Sequence, residues 1–336
     1  MAQEMTKLFD TPEGCDLVVN NVEGKIEVTG WDKPQTQVVV VKHSDDIEVE
    51  ISQDGRKVVA KTKSENGFMD WLSRIGQKKA VDYTVYVPRN SNVKIKCVHG
   101  PIRIGEVEGT VQVENVDGAT ELENVSGEVD AKSVNGALNA ANLHGSAKLN
   151  AVNGTLKVQG GALHALNTET VNGTIKIDAA LSSEGHYEFK TVNGNCHLNV
   201  QDGFRANVSA HGVNLHVKCA QPAQSIQKQF GSWHGTIGSG DGPTAEISFH
   251  TVNGSLHIDN GNVQTTSEVK VRPAAEAEAP PPAPPAPPAP PAPPAEPIVV
   301  KVPQQPEQAA KSKAEILQMV ERGEISVDEA LELLKQ

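Results

Sequence analysis

From Val93 to Asp259 apolar and polar residues alternate in short runs, and a glycine interrupts them at a fixed step. Gly100, Gly109, Gly118, Gly127, Gly136, Gly145 and Gly154 lie nine residues apart, and the same unit returns as TVNG at Gly173, Gly194 and Gly254. Counting the glycine as zero, position +2 is Ile102, Val111, Thr120, Val129, Leu138, Ala147 and Leu156. Position +4 is Ile104, Val113, Leu122, Ala131, Ala140, Leu149 and Val158, and position −2 is valine or Leu143 throughout. Position +3 is Arg103, Gln112, Glu121, Asp130, Asn139, Lys148 and Lys157. This alternation predicts one strand of about five residues per unit, with +2 and +4 inward and +3 facing water. Asn, Asp or His stands before most of the glycines, residue types that tolerate positive φ, so each pair predicts a tight corner.

Two topologies use such corners. In a hairpin turned at Asn-Gly, Val152 would pair with Thr155, and the recurrent valine would face away from the core while polar residues faced in. A solenoid corner lets both −2 and +2 point inward. The expected fold is therefore all-β, a β-solenoid of nine-residue units with two units, 18 to 21 residues, per coil. A short unit repeated many times buries its apolar side only against its neighbours.

The flanks divide the chain into a lead (1–15), the solenoid domain (16–262), a Pro/Ala-rich linker (263–310) and a helical module (311–336). Asp54-Gly55 predicts a hairpin turn between Ile47–Ile51 and Lys57–Ala60, and VDYTVYV (81–87) reads as a strand closed by Pro88. Residues 64–80 interrupt the strands. Phe68, Trp71, Leu72 and Ile75 there form one apolar face, suited to capping the end of a solenoid or, at most, to touching a membrane surface peripherally. Residues 273–297 are almost all Pro, Ala and Glu and predict an extended spacer. Beyond it, Ile316, Leu317, Met319 and Val320 predict one helix, Gly323 ends it, and Ser326 with Glu329 forms a capping box for a second. Ile316, Val320, Leu331 and Leu334 exceed what two short helices hide, so this hairpin is expected to bind a protein partner or to self-associate.

Composition narrows the function. Aromatics are 4 % of the chain, so the core is built from Val, Ile, Leu and Ala. A net charge of −12 argues against nucleic acid or an anionic membrane as a general partner. Cys15, Cys97, Cys196 and Cys219 form no CxxC pair and read as free thiols of a reducing compartment. With no signal-peptide pattern in the first residues and no stretch of membrane-spanning length, the expected location is cytoplasmic, at most peripheral to the inner membrane.

No catalytic or cofactor motif stands out, and the chain reads as non-enzymatic. His99, His144, His211 and His234 precede glycine, where corner geometry accounts for them. His197 and His257 occupy +3 of two TVNG units. Stacking would bring them together, which makes them the weak candidates for a Zn²⁺ or Ni²⁺ site in a chain otherwise read as metal-free. Ca²⁺-binding β-rolls share the nonapeptide period but need GGxGxDxφx, and these units lack the second glycine and the aspartate. The carboxylates Glu114, Glu121 and Asp130 fall on alternate sides rather than in one groove.

The stretch VDYTVYVPRNSNVKIKCVHG, followed by repeated VNG, resembles a bacterial putative-adhesin domain family of unknown function over roughly residues 15–260. The tail KAEILQMVERGEISVDEALELL resembles the short helical domain of bacterial envelope-stress proteins of the LiaX and YvlB type, where that piece is usually N-terminal. The resemblance implies a β-helix-like solenoid without catalytic residues, acting as a scaffold in envelope-stress sensing or regulation. The alternatives are a surface adhesin-type protein and a self-assembling cytoskeletal scaffold.

Overall fold

The computed structural model describes residues 3–44, 47–63, 80–239 and 242–261. They form 16 β-strands in one continuous sheet, with no helix among the described residues. β1 (Gln3–Asp10), β2 (Asp16–Glu23), β3 (Ile26–Trp31), β4 (Gln35–Lys42), β5 (Glu48–Asp54), β6 (Lys57–Lys63) and β7 (Val81–Pro88) precede the regular repeats. β8 (Asn92–His99), β9 (Ile102–Gly105), β10 (Glu108–Asp117), β11 (Thr120–Asn135) and β12 (Leu138–Val200) carry them. β13 (Ala206–Cys219), β14 (Ala223–Gln229), β15 (Ser232–Ile237) and β16 (Ala245–Asn260) complete the stack.

The repeats coil as expected. Val93 lies beside Val111, Val111 beside Val129 and Val129 beside Ala147, all in parallel register. Asn142 and Asn153 likewise meet partners 18 residues earlier, so one coil is two units. β9 pairs with Thr120–Glu123 on the other wall of the coil. Hydrogen bonding continues around the corners, which is why β12 runs 63 residues through successive coils. Beyond Asn153 the coil widens, with steps of 19 residues to Asn172 and 21 to Asn193. Every +2 and +4 residue from Ile102 to Val158 is buried between the walls, while +3 stays half-buried or exposed. Stacked parallel strands favour β-branched side chains, and valine and isoleucine make up much of this core.

The −2 valines are a correction. Val107, Val125 and Leu143 join the main core, but Val116 and Val134 pack with Val98 and Val152 in a separate outer cluster. At those alternate corners position −3 turns inward instead: Cys97, Asn115, Ser133 and Ala151 are buried. At two such corners the inward side chain is an asparagine that serves the backbone. Asn115 Nδ2 donates to Gly100 O (3.1 Å) and Gly118 O (3.2 Å). Asn21 Nδ2 serves Val81 O (2.8 Å) in the same way. These bonds offset the cost of burying the amide there, and they are particular to the asparagine corners, since Ala151 has no side-chain donor.

The corners also differ from the expected geometry. Gly118 and Gly136 adopt φ of 134° and 150°, and a Cβ on Gly136 would collide with the carbonyl oxygen of Gly118 one coil away. Gly173, Gly194 and Gly254 lie outside the positive-φ region, and close stacking alone requires glycine there. Among the described repeat residues, positive φ at non-glycines falls at Glu106, Asn124 and Asn142, on the opposite corner, rather than at the residues preceding glycine; the other case, Ser225, lies in β14. There Asn142 donates to Asn124 (2.9 Å) and Asn124 to Glu106 (2.6 Å), and Arg89 pairs with Glu106 (2.6 Å).

Both ends are built by insertion. β2 and β3 stack on β8 and β9 although 76 residues separate Asp16 from Asn92, and β6 and β7 then cover β2 and β3. Antiparallel β5, β4 and β1 finish that end. The stretch read as a lead thus contains β1, whose Met5 and Phe9 pack on the core. The hairpin expected at Asp54-Gly55 forms with Asp54 paired to Lys57. At the far end β16 lies between the last coil of β12 and β13, and β15 and β14 follow antiparallel. Residues 64–79, with Phe68, Trp71, Leu72 and Ile75, lie outside the described residues. Their flanks, Lys63 and Ala80, belong to the outer coil of β6 and β7. The spacer and the module with Ile316, Val320, Leu331 and Leu334 are outside as well.

Candidate interaction surface

The outward valines form a row along one edge of the solenoid. In the centre they are covered: Val116 is 7 % and Val134 8 % exposed. Lys132, on the same outward side two residues before Val134, is itself buried. Toward the C-terminal end the row opens. Val192 is 40 %, Val252 44 % and Val213 64 % exposed. These three are neighbours, because Asn193 pairs with Asn253 and Asn253 with Asn214 in the strand register. His211 faces Ser232 across the β13–β15 ladder, and Gly212 N–H donates to Gly231 O (2.8 Å). That sequence of pairs carries Phe230, 99 % exposed, to the place beyond Val213. A groove of about 350 Å³ follows the row, lined by Glu169, Lys190, Val192, His211, Val213 and Val252 among others.

An amide ladder borders the row. Asn153 donates to Asn135 (3.2 Å), Asn172 to Asn153 (3.1 Å) and Asn193 to Asn172 (3.2 Å). Asn253 then donates to Asn193 (2.9 Å) and Asn214 to Asn253 (2.6 Å). On the other side of the groove the His211 ring stands 4.9 Å from His234 and 5.6 Å from His250. Ser209 and Ser248 hydroxyls meet Nε2 of His211 and His250 at 3.0 and 2.9 Å. Loss of solvation and then the neighbouring His234 and His250 lower the pKa of His211.

The structure does bring His197 and His257 together, as rings stacked 4.8 Å apart with planes 8° from parallel. Parallel rings present their nitrogens side by side rather than converging on one point. Ser255 Oγ lies 3.4 Å from His257 Nδ1. Partial burial, then His197 and Lys218, lowers the His257 pKa. Among the described residues no group of three or more His, Cys, Asp or Glu is placed to hold a metal ion. All four cysteines are free, and burial pushes the Cys97 thiol up to about 12. Glu114 pairs with Lys96 and Glu121 with Arg103, each at 2.6 Å.

Sequence reasoning missed the open row. Its signal was present at one point: residues 212–214 read GVN instead of VNG, which keeps the valine and the ladder asparagine while shifting the glycine. Phe230 carries no repeat signal, because β14 and β15 are not nonapeptide strands.

Solved structures similar to this chain share little sequence. A putative adhesin from Bacteroides fragilis aligns at 11 % identity over 76 % of this chain and 97 % of its own, with a TM-score of 0.46. A putative cell adhesion protein from Clostridium sporogenes aligns at 9 % over 78 % of this chain and 100 % of its own, with a TM-score of 0.25. A putative lipid binding protein from Parabacteroides distasonis aligns at 12 % over 76 % of this chain and 96 % of its own, also at 0.25. No curated protein matches the chain. A SHOCT-like domain matches residues 313–336. The Toastrack DUF4097 family matches residues 15–259, nearly all of the solenoid, and the chain belongs to that family.

Proposed function

We propose that this chain is a non-enzymatic interaction protein whose rigid solenoid presents an apolar, amide-bordered corner to a protein partner. One observation carries the reading: Val192, Val252, Val213 and Phe230 form a contiguous row that opens progressively to solvent. Exposed apolar patches of this kind on a well-packed scaffold are binding surfaces. The SHOCT-like tail behind the Pro/Ala spacer acts as a second recognition element, able to search a wide radius. The pairing of such a tail with a Toastrack domain supports a role in bacterial envelope-stress regulation, peripheral to the membrane. Adhesin-type binding at the cell surface would use the same row and differ in compartment.

The test is crosslinked recovery combined with cell fractionation, using the full chain and its Val213→Ser/Phe230→Ser double variant. A partner that the full chain recovers from the inner-membrane fraction and the double variant loses supports the regulatory reading. Recovery at the outer surface supports adhesion, and recovery of homopolymers alone supports an assembling scaffold. If the double variant keeps wild-type stability and every wild-type partner, the row is not the binding surface.

A further inference from the structure

The open end of the solenoid is charged unlike the rest of the chain. The whole chain carries a net charge of −12, yet residues 203–240 contain no Asp or Glu. They hold Arg205, Lys218 and Lys228 together with His211, His216 and His234. This is the same end at which Val213, Ile226 and Phe230 are exposed. It is also an unfinished edge. Among the described residues β14 pairs only with β15, and Leu215 and Val217 of β13 are only partly buried against the core. An apolar, cationic, unpaired end calls for an acidic, amphipathic occupant.

This chain contains such a segment. Residues 313–336 carry the carboxylates Glu315, Glu321, Glu324, Asp328, Glu329 and Glu332 against three basic residues. They also carry the apolar set Ile316, Val320, Leu331 and Leu334. Geometry places the segment within reach. The described chain ends at Gly261, whose N–H donates to Val200 O, directly after β16. β16 itself supplies Val252 to the row and neighbours β13. From Gly261 to the open row is about 25 Å at strand rise. The 51 residues from 262 to 312 have a contour length of at most about 170 Å, which exceeds that distance several-fold. A tether of this length holds the tail at an effective concentration on the order of millimolar.

We propose that residues 313–336 dock on the C-terminal end of their own solenoid, over Val213 and Phe230, and mask the binding row until a partner displaces them. This rests on the reading of that row as a binding surface, but its test requires no partner. Amide hydrogen exchange is followed on the full chain at low micromolar concentration, in the wild type and in the Val213→Ser/Phe230→Ser and Leu331→Asp variants. In the wild type, amides of residues 316–334 and of the β14–β15 hairpin exchange slowly. Either variant accelerates both sets at least about tenfold and leaves the central coils unchanged, so a folding defect is read separately. Lys228→Glu gives a smaller acceleration that fades at high salt. Three results overturn the proposal: tail amides unprotected in the wild type, tail protection that the double variant does not alter, or protection that scales with protein concentration. The last would assign the surface to a second copy. Loss of partner recovery without tail protection would leave the binding row standing and remove only the masking.

Discussion

The central coils and the C-terminal coils are made of the same unit yet present it differently. Val134 and Val252 both stand two residues before a stacked glycine and both point outward. Val134 packs with its in-register valine neighbours, whereas Val252 faces the groove beside Val192 and Val213. Two differences accompany this. The coil widens from 18 to 21 residues, and at the position equivalent to the buried Lys132 the C-terminal coils have Lys190, paired with Glu188 (2.6 Å), and the shorter His250 and His211. A position that looks constant in the repeat is structural in the middle and available for binding at the end.

That contrast breaks most severely in the centre. Leu149→Asp would bury an unpaired carboxylate between the walls and should cost about 5 kcal/mol, measured by urea unfolding. Gly136→Val forces a β-branched residue into φ near 150° and against the Gly118 carbonyl, and should cost about 4 kcal/mol in the same assay. A loss below 1 kcal/mol at Gly136 would mean the corner can open without disturbing its neighbours. Val134→Ser removes only an outer-cluster methyl pair and should cost about 1.5 kcal/mol. Its counterpart at the open end, Val252→Ser, should stay within about 0.5 kcal/mol of wild type. Equal losses at Val134 and Val252 would erase the distinction between the two regions.

The smallest expected effect is with pH. His211 and His257 titrate below the ordinary imidazole value. Their folded forms therefore resist protonation more than the unfolded chain does, so their contribution is fully present above the unfolded pKa and is lost as pH falls from there through the lower folded pKa. Both are only half-buried, and the effect is correspondingly small. Between pH 7 and pH 5, amide protection relative to the intrinsic exchange rate at each pH should fall in β13 and β16 while that of β10 and β11 holds. A uniform fall along the stack would place the pH dependence elsewhere.

Much of the solenoid was legible before any coordinates. A nine-residue step with buried +2 and +4 positions is a local, translational property, and parallel in-register stacking preserves it coil after coil. The pairing of His197 with His257 followed from the same translation, since two residues at the same place in the unit must be neighbours if the units stack. The −2 valines were misread because periodicity reports which positions recur and not which way a corner turns. At Gly118 the carbonyls left by the turn claim the inside for Asn115, and Val116 is displaced to the outer edge. Phe230 and Val213 were invisible for another reason, since exposure at an end depends on which strand lies beyond it.

The sequence by itself determined the unit, its strand, the two-unit coil and the need for glycine, because each depends on residues within about twenty of one another. Only the tertiary structure decided that β2 and β3 stack on strands 76 residues away, that β16 slides beneath β13, and that one end of the valine row is left open. Those outcomes arise from long-range backbone pairing, in which any parallel edge can accept any other. The pattern of side chains along the chain constrains the face a strand presents far more than the neighbour it takes.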